Sequence, residues 1–199
     1  MIVEVIKPGL LVRNKLGMIL QASSTVTMVS SKEHNIIVDT GVPGDGKVIF
    51  SGLKESGFSP EDIDLVINTH LHGDHMSNNA LFIRARFLIH AKEFPSKLKN
   101  RLKGLIVIKS DFKLSESVDI IETPGHTLGS ISVVVKDADN NKIYVIAGDA
   151  LPTKENYLKW VPPGINFNPK IALNSMRRIV KIADFVIPGH DDMFSIRKV

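Results

Sequence analysis

Thr69-His70-Leu71-His72-Gly73-Asp74-His75 sets three imidazoles and one carboxylate within six consecutive positions of a 199-residue chain. The stretch follows the apolar run Leu65-Val66-Ile67, which reads as a strand. Neutral imidazole is the commonest protein metal ligand, and carboxylate is its usual partner around a divalent ion. Ordinary core packing needs no such cluster. The stretch therefore predicts a metal site where a strand ends.

The same arrangement recurs along the chain. Asn35-Ile36-Ile37-Val38 ends at Asp39, and Ile143-Tyr144-Val145-Ile146-Ala147-Gly148 ends at Asp149. Ile120-Ile121-Glu122-Thr123 turns through Pro124-Gly125 to His126, and Phe185-Val186-Ile187 turns through Pro188-Gly189 to His190. Ends of neighbouring strands can converge at one sheet edge, and glycine beside a ligand lets the backbone approach closely. Of seven histidines, five occupy such positions. Strands are expected near 2–6, 25–30, 35–39, 64–69, 86–90, 105–108, 118–122, 131–136, 142–148 and 184–188. Helices are expected near 45–57 and 168–183, the second opened by Asn168 as N-cap and Pro169 at its first position. Pro60-Glu61-Asp62 reads as a turn.

Spacing divides the ligands into two sets. His70 and His72 are two apart, so an extended segment would turn both rings to one side. Gly73 permits a bend, after which Asp74 and His75 point elsewhere. Each pair needs a third ligand, His126 for the first and His190 for the second. Asp149, with two oxygens, is the natural bridge. Three ligands per ion plus a shared one leave room for water, as catalytic metal sites require.

Composition bounds the chemistry. There is no cysteine, which excludes disulfides and thiolate ligands. No apolar run approaches the roughly 20 residues of a membrane span, and no signal-peptide core follows Met1. A cytoplasmic protein without a membrane partner is the expectation. Net charge is +4, too modest for a dedicated nucleic-acid binder. Residues 92–113 nevertheless carry a local excess of five positive charges, from Lys92, Lys97, Lys99, Arg101, Lys103, Lys109 and Lys113 against Glu93 and Asp111. That stretch reads as a solvated face or as a landing strip for an anion.

The pattern His-x-His-x-Asp-His at His70, His72, Asp74 and His75, followed by His126, Asp149 and His190, resembles the metallo-β-lactamase superfamily, in the branch that includes glyoxalase II. Val38-Asp39-Thr40-Gly41 is similar to its first motif, in which the Asp supports the metal loop, and Ser24-Thr25-Val26-Thr27 to an early strand. The resemblance implies an α/β (α+β) fold, the four-layer αβ/βα sandwich, as a single domain over 1–199, with two metals at one edge. Departures narrow it. Asp149 stands where one group of β-lactamases has cysteine, and His72 where flavodiiron proteins have Glu. Nine residues follow His190, so the helical substrate domain of glyoxalase II is expected to be absent. Forty residues separate Asp149 from His190, too few for the insertion of the RNA-processing nucleases. Thr123-Pro124-Gly125-His126, Ala147-Gly148-Asp149 and Ala183-Asp184-Phe185-Val186-Ile187-Pro188-Gly189-His190 look most like the small metallo-β-lactamase-domain-containing protein 1 group, which has been linked to RNA cleavage.

The expected chemistry is hydrolysis by a hydroxide bridging two divalent ions, zinc in the first instance, with manganese or iron as alternatives. Asp74 would orient that hydroxide or shuttle its proton, and Asp149 would join the ions. In a Pro/Gly-rich segment, Tyr157 reads as a proton donor and Trp160 as a substrate wall, or both as packing residues. Leu10-Leu11-Val12 reads either as an apolar lip or as a strand edge. His90 is expected to be structural and His34 exposed in a hairpin turn. The leading substrate is a small ester, thioester or lactone, anionic or ester-type. The alternatives are a phosphodiesterase or endoribonuclease acting on RNA, a mono-iron sulfur dioxygenase, and a metal-dependent binding domain. A homodimer is also open.

Overall fold

The computed structural model describes residues 1–93 and 104–196. Lys97, Lys99, Arg101 and Lys103 of the basic stretch lie outside the described residues. The first half contains β1 (Ile2–Lys7), β2 (Leu10–Arg13), β3 (Ile19–Ser23), β4 (Val26–Ser30), β5 (Asn35–Val38), α1 (Gly46–Glu55), β6 (Leu65–Ile67), the one-turn α2 (Gly73–Met76), β7 (Arg86–His90) and β8 (Leu105–Ile108). The second contains β9 (Phe112–Lys113), β10 (Val118–Glu122), β11 (Ile131–Asp137), β12 (Lys142–Gly148), α3 (Lys154–Lys159), α4 (Pro169–Ile182), β13 (Phe185–Pro188) and β14 (Phe194–Ser195).

Two six-stranded sheets result, ordered β1-β4-β5-β6-β7-β8 and β14-β13-β12-β11-β10-β9, with β2 and β3 as a separate hairpin. In the first sheet β5, β6, β7 and β8 run parallel, and in the second β12 and β13 do. Of these, β5, β6 and β13 are short, largely apolar and buried, as parallel sheet covered on both faces requires.

Period-two alternation decides the layering. Ile36, Val38, Leu65 and Ile67 point inward and meet Ile120, Ile131, Val133, Ile146 and Ile187 of the second sheet. Their alternates Ile37 and Val66 face outward and pack with Ile49 and Leu53 of α1. On the far side Val134, Val145 and Val186 pack with Ile179 of α4. Helix, sheet, sheet and helix are thus the layers of the αβ/βα sandwich. Each buried Ile, Val or Leu contributes about 1.5–3 kcal/mol of transfer free energy, so the shared inner face is the main source of stability. Among the described residues no helix is long and apolar enough to cross a membrane.

Some local expectations shift. The strand expected over 64–69 stops at Ile67, because Thr69 and the histidine loop beyond it are committed to other partners. Gly73 is no free bend: it opens α2, with His72 as the residue before the first turn. Leu10-Leu11-Val12 is a true strand, paired with Gln21, Ala22 and Ser23 of β3. The Pro/Gly-rich stretch holding Tyr157 and Trp160 contains α3. Pro60–Asp62 is a 3-10 turn closed by Asp62 on Ser59.

Helix α4 follows the expectation closely. The Asn168 side chain accepts from the amides of Lys170 and Ile171 at 3.0 and 3.1 Å, and Pro169 fills the first position. Ala172, Ser175, Met176 and Ile179 form its buried stripe. Asn168→Ala is therefore expected to lower unfolding free energy by about 1 kcal/mol, and Asn168→Asp to retain most of it, as read from urea denaturation midpoints.

Candidate metal centre

Five strand ends meet at one edge of the paired sheets. β5 delivers Asp39, β6 leads to His70 and α2, β10 turns through Pro124-Gly125 to His126, β12 ends beside Asp149, and β13 turns to His190. Gly125 matters to this convergence. Its φ is +138°, and a side chain there would strike the backbone of Ala172, so only glycine lets the His126 turn lie against α4.

Three groups of side chains could each hold an ion: His70, His72 and His126; Asp74, His75 and His190; and His70, His75 and Asp149. The first two are the sets expected from spacing, and Asp149 lies between them. Its Oδ2 is 3.4 Å from His126 Nε2, and its Oδ1 is 3.4 Å from His75 Nε2 and 3.1 Å from His190 Nε2. Asp74 Oδ2 is 3.6 Å from His190 Nε2. His126 Nε2 and His72 Nδ1 face each other at 2.9 Å. His70 and His75 are fully buried, while His72 is exposed and Asp74 half-buried.

The ring orientations are fixed from behind. A carbonyl can only accept, so His126 Nδ1 must donate to Ile165 O (2.7 Å) and His190 Nδ1 to Ser23 O (3.0 Å). His75 Nδ1 donates to Asp39 Oδ2 at 2.7 Å. Thr69 Oγ1 donates to the same carboxylate at 2.7 Å and lies 3.2 Å from His70 Nδ1. In each case Nδ1 is engaged from behind and Nε2 faces inward, the orientation that metal-binding histidines take from their outer partners.

The electrostatics agree with a cation site. Burial, and then repulsion from His75, push His70 well below its ordinary value, so its ring is neutral. Burial likewise lowers His72. Burial opposes a charge on His75, but Asp39 and Asp149 outweigh it and raise its pKa to about 10. Burial would also protonate Asp149; the positive charge on His75 and His190 instead keeps it ionised. A proton on His75 thus fills part of the role that a metal would take, and binding an ion would expel it. Among the described residues, His70 Nε2, His75 Nε2 and Asp149 Oδ1 are buried without a hydrogen-bond partner. Buried polar atoms are rarely left so, and here three of them converge. The donor set is nitrogen and carboxylate oxygen, which suits zinc, manganese or iron. The residues fit the group.

Other sequence candidates separate from the cluster. Tyr157 packs against the α4-side core and stacks on Phe194 at 5.4 Å, and it lines neither cavity beside the histidines. Of the two roles read from sequence, proton donor or packing residue, its position is that of the packing residue. Trp160 caps α3 in the left-handed conformation between the cavity-lining residues Lys159 and Val161, without lining the cavity itself. His90 accepts the Lys92 amide on Nδ1 and places Nε2 3.2 Å from Glu122, a structural position. His34 is half-buried and pairs with Asp64 at 3.2 Å.

Two supporting residues were not singled out as site residues from sequence. Glu93 accepts from Leu71 N at 3.0 Å and Gly129 N at 2.9 Å, joining the His70–His72 loop to the turn after His126. Lys7, buried, donates to Ser24 O at 2.7 Å and pairs with Asp45 at 3.2 Å, holding the segment whose Ser23 carbonyl orients His190. Glu93 had a weak signal, an acid just past the strand ending at His90; Lys7 had none. Glu93→Ala strands two amides and is expected to cost about 1–3 kcal/mol, read by urea denaturation of the metal-free protein.

Comparisons with known proteins agree with this geometry. A family model described as "Metallo-beta-lactamase superfamily" matches residues 21–190. A probable metallo-hydrolase of Methanocaldococcus jannaschii is 43% identical over 191 residues, 95% of this chain and 86% of the relative. Metallo-beta-lactamase domain-containing protein 1 of Xenopus laevis is 29% identical over 192 residues, 92% of this chain and 76% of that one. Among solved structures, an N-acyl homoserine lactone hydrolase with the product N-hexanoyl-L-homoserine bound at its catalytic metal center aligns with TM-score 0.68 and 25% identity, over 88% of this chain and 84% of that one. The chain belongs to the metallo-β-lactamase superfamily, whose fold implies divalent metals, and it is a metallo-hydrolase by kinship.

Proposed function

We propose that this chain hydrolyses small lactones, esters or thioesters with two divalent cations, one held by His70, His72 and His126, the other by Asp74, His75 and His190, and Asp149 joining them. The observation that carries the reading is the cavity in front of these groups. It encloses about 320 Å³, and its lining combines His72, Asp74, His126, Asp149 and His190 with Leu11, Ile19, Ala22, Pro163 and Ile165. That size is at the small end of ligand sites, and apolar walls facing a few polar groups suit an acyl chain. The likeness to a lactone hydrolase whose product lies at the metal center supports a carbonyl substrate.

Bound divalent cations would supply a water acidic enough to ionise near neutral pH and a sink for charge on the carbonyl oxygen. The chain's own residues do the rest. Asp149, ionised in its buried position, offers one oxygen to each set. Carbonyls of Ser23 and Ile165 and the Asp39 carboxylate hold three rings so that no reorientation accompanies the reaction. Asp74 is the half-buried carboxylate at the cavity wall; with Oδ2 turned to His190, its other oxygen accepts the proton of the attacking water and passes it to the leaving oxygen or sulfur. The apolar wall orients the acyl part and sheds water around it.

The test is a panel of lactone, thioester, phosphodiester and RNA on protein of known metal content. About two ions per chain and turnover of lactone or thioester are expected. Cleavage of RNA alone, or one iron per chain with oxygen uptake, would overturn the reading. Alanine at His70, His126, Asp149 or His190 is expected to lower turnover at least a hundredfold and to deplete metal, with unchanged far-UV circular dichroism. Full turnover by any two of these variants would also refute the ligand assignment.

A further inference from the structure

A second cavity, of about 610 Å³, lies beside the metal cavity, and Leu11, Arg13, Gly164 and His190 line both. The two form one trough. It runs from His72, Asp74, His126 and Asp149, past Arg13 and Gly164, to Thr153, Asn156 and Lys159. Leu10, Leu11, Val161 and Pro162 give the outer part an apolar lining.

The charges along this trough are not equivalent. Lys159 is paired with Glu155 at 2.5 Å on α3. Asp191 accepts the amides of Lys154 and Asp192 at 3.0 and 2.9 Å. Arg13 Nη1 donates to the Gly17 carbonyl at 2.9 Å, and among the described residues the guanidinium has no ion-pair partner. It stands at the junction of the cavities with most of its donors unengaged. Across the passage is Gly164, where a side chain would begin 3.5 Å from Arg13 Nη2. Gly164 has no left-handed φ, so conformation does not demand glycine; a side chain there would lie in van der Waals contact with the guanidinium and cover part of it.

We infer that Arg13 binds an anionic group of the substrate, a carboxylate, several bonds from the scissile carbonyl. This rests on the hydrolase reading above and names its substrate class: acyl compounds with an apolar segment and a distal acid. The planar fork of arginine matches a carboxylate through two parallel hydrogen bonds, which a lysine cannot reproduce. The apolar segment lies along Leu11 between the two polar ends.

The experiment compares two thioesters of one thiol, hexanoyl and adipoyl, which differ only in a terminal methyl or carboxylate. Wild-type protein is expected to show a KM about tenfold lower for the adipoyl ester. In Arg13→Ala and Arg13→Gln the ratio of the two KM values should fall to about one, with Arg13→Lys between. A second readout is independent of turnover. Adipate, titrated into metal-loaded protein, should change the fluorescence of Trp160, the single tryptophan, in wild type and not in Arg13→Ala. Equal KM values in wild type, or a preference that survives Arg13→Ala, overturns the inference. If neither thioester turns over, the hydrolase reading falls by itself. The adipate titration then decides the anion site alone, and identical titrations of wild type and Arg13→Ala refute it.

Discussion

The Asp39 carboxylate holds the site together. It is 2% exposed, and it takes the Thr69 amide, the Thr69 hydroxyl and His75 Nδ1, all within 2.8 Å. Its backbone lies in the left-handed region at φ 59°, which costs a non-glycine residue about 1 kcal/mol or more. Three charge-assisted hydrogen bonds, each about 1.5–3 kcal/mol, outweigh that strain. The same bonds end β6 early and tilt the His70–His75 segment off the sheet. Without this anchor the histidines would continue as a strand, with alternate rings on opposite faces.

Sheet geometry supplies the remaining ligands. The two inner faces pack as a shared apolar layer, which sets the strand ends of one sheet beside those of the other. His126, Asp149 and His190 therefore reach a cluster that begins 50 or more residues earlier in the chain. Packing fixes the distances and the backbone carbonyls fix the ring angles. The site is consequently stiff where metals would bind and open where His72 and Asp74 meet the cavity.

Much of this was legible in the sequence because side-chain identity carried it. Period-two runs of Ile and Val marked the strands, Asn168-Pro169 marked α4, and the glycines beside His72, His126, Asp149 and His190 marked the close turns. The grouping of His70, His72 and His126 against Asp74, His75 and His190 followed from spacing, though by a different local path than an extended strand. What sequence did not yield was held by backbone. The carbonyls of Ser23 and Ile165 have no residue signature, so the partners of His190 and His126 could not be named. β2 was ambiguous and β3 was not anticipated, because their apolar residues Leu10, Leu11, Ile19 and Ala22 face a cavity rather than a core. Tyr157 stayed open between proton donor and packing residue because α3 has only six residues, too few for a helical period to stand out amid prolines and glycines.

The spread of the ligands along the chain imposes an order on biosynthesis. His70, His72 and His126 have all left the ribosome well before His190, which needs β13 beside β12 and α4 already crossed over. One triad can close while the other still lacks a member. Synthesis thus completes the first set of side chains before the second, whichever ions they go on to hold.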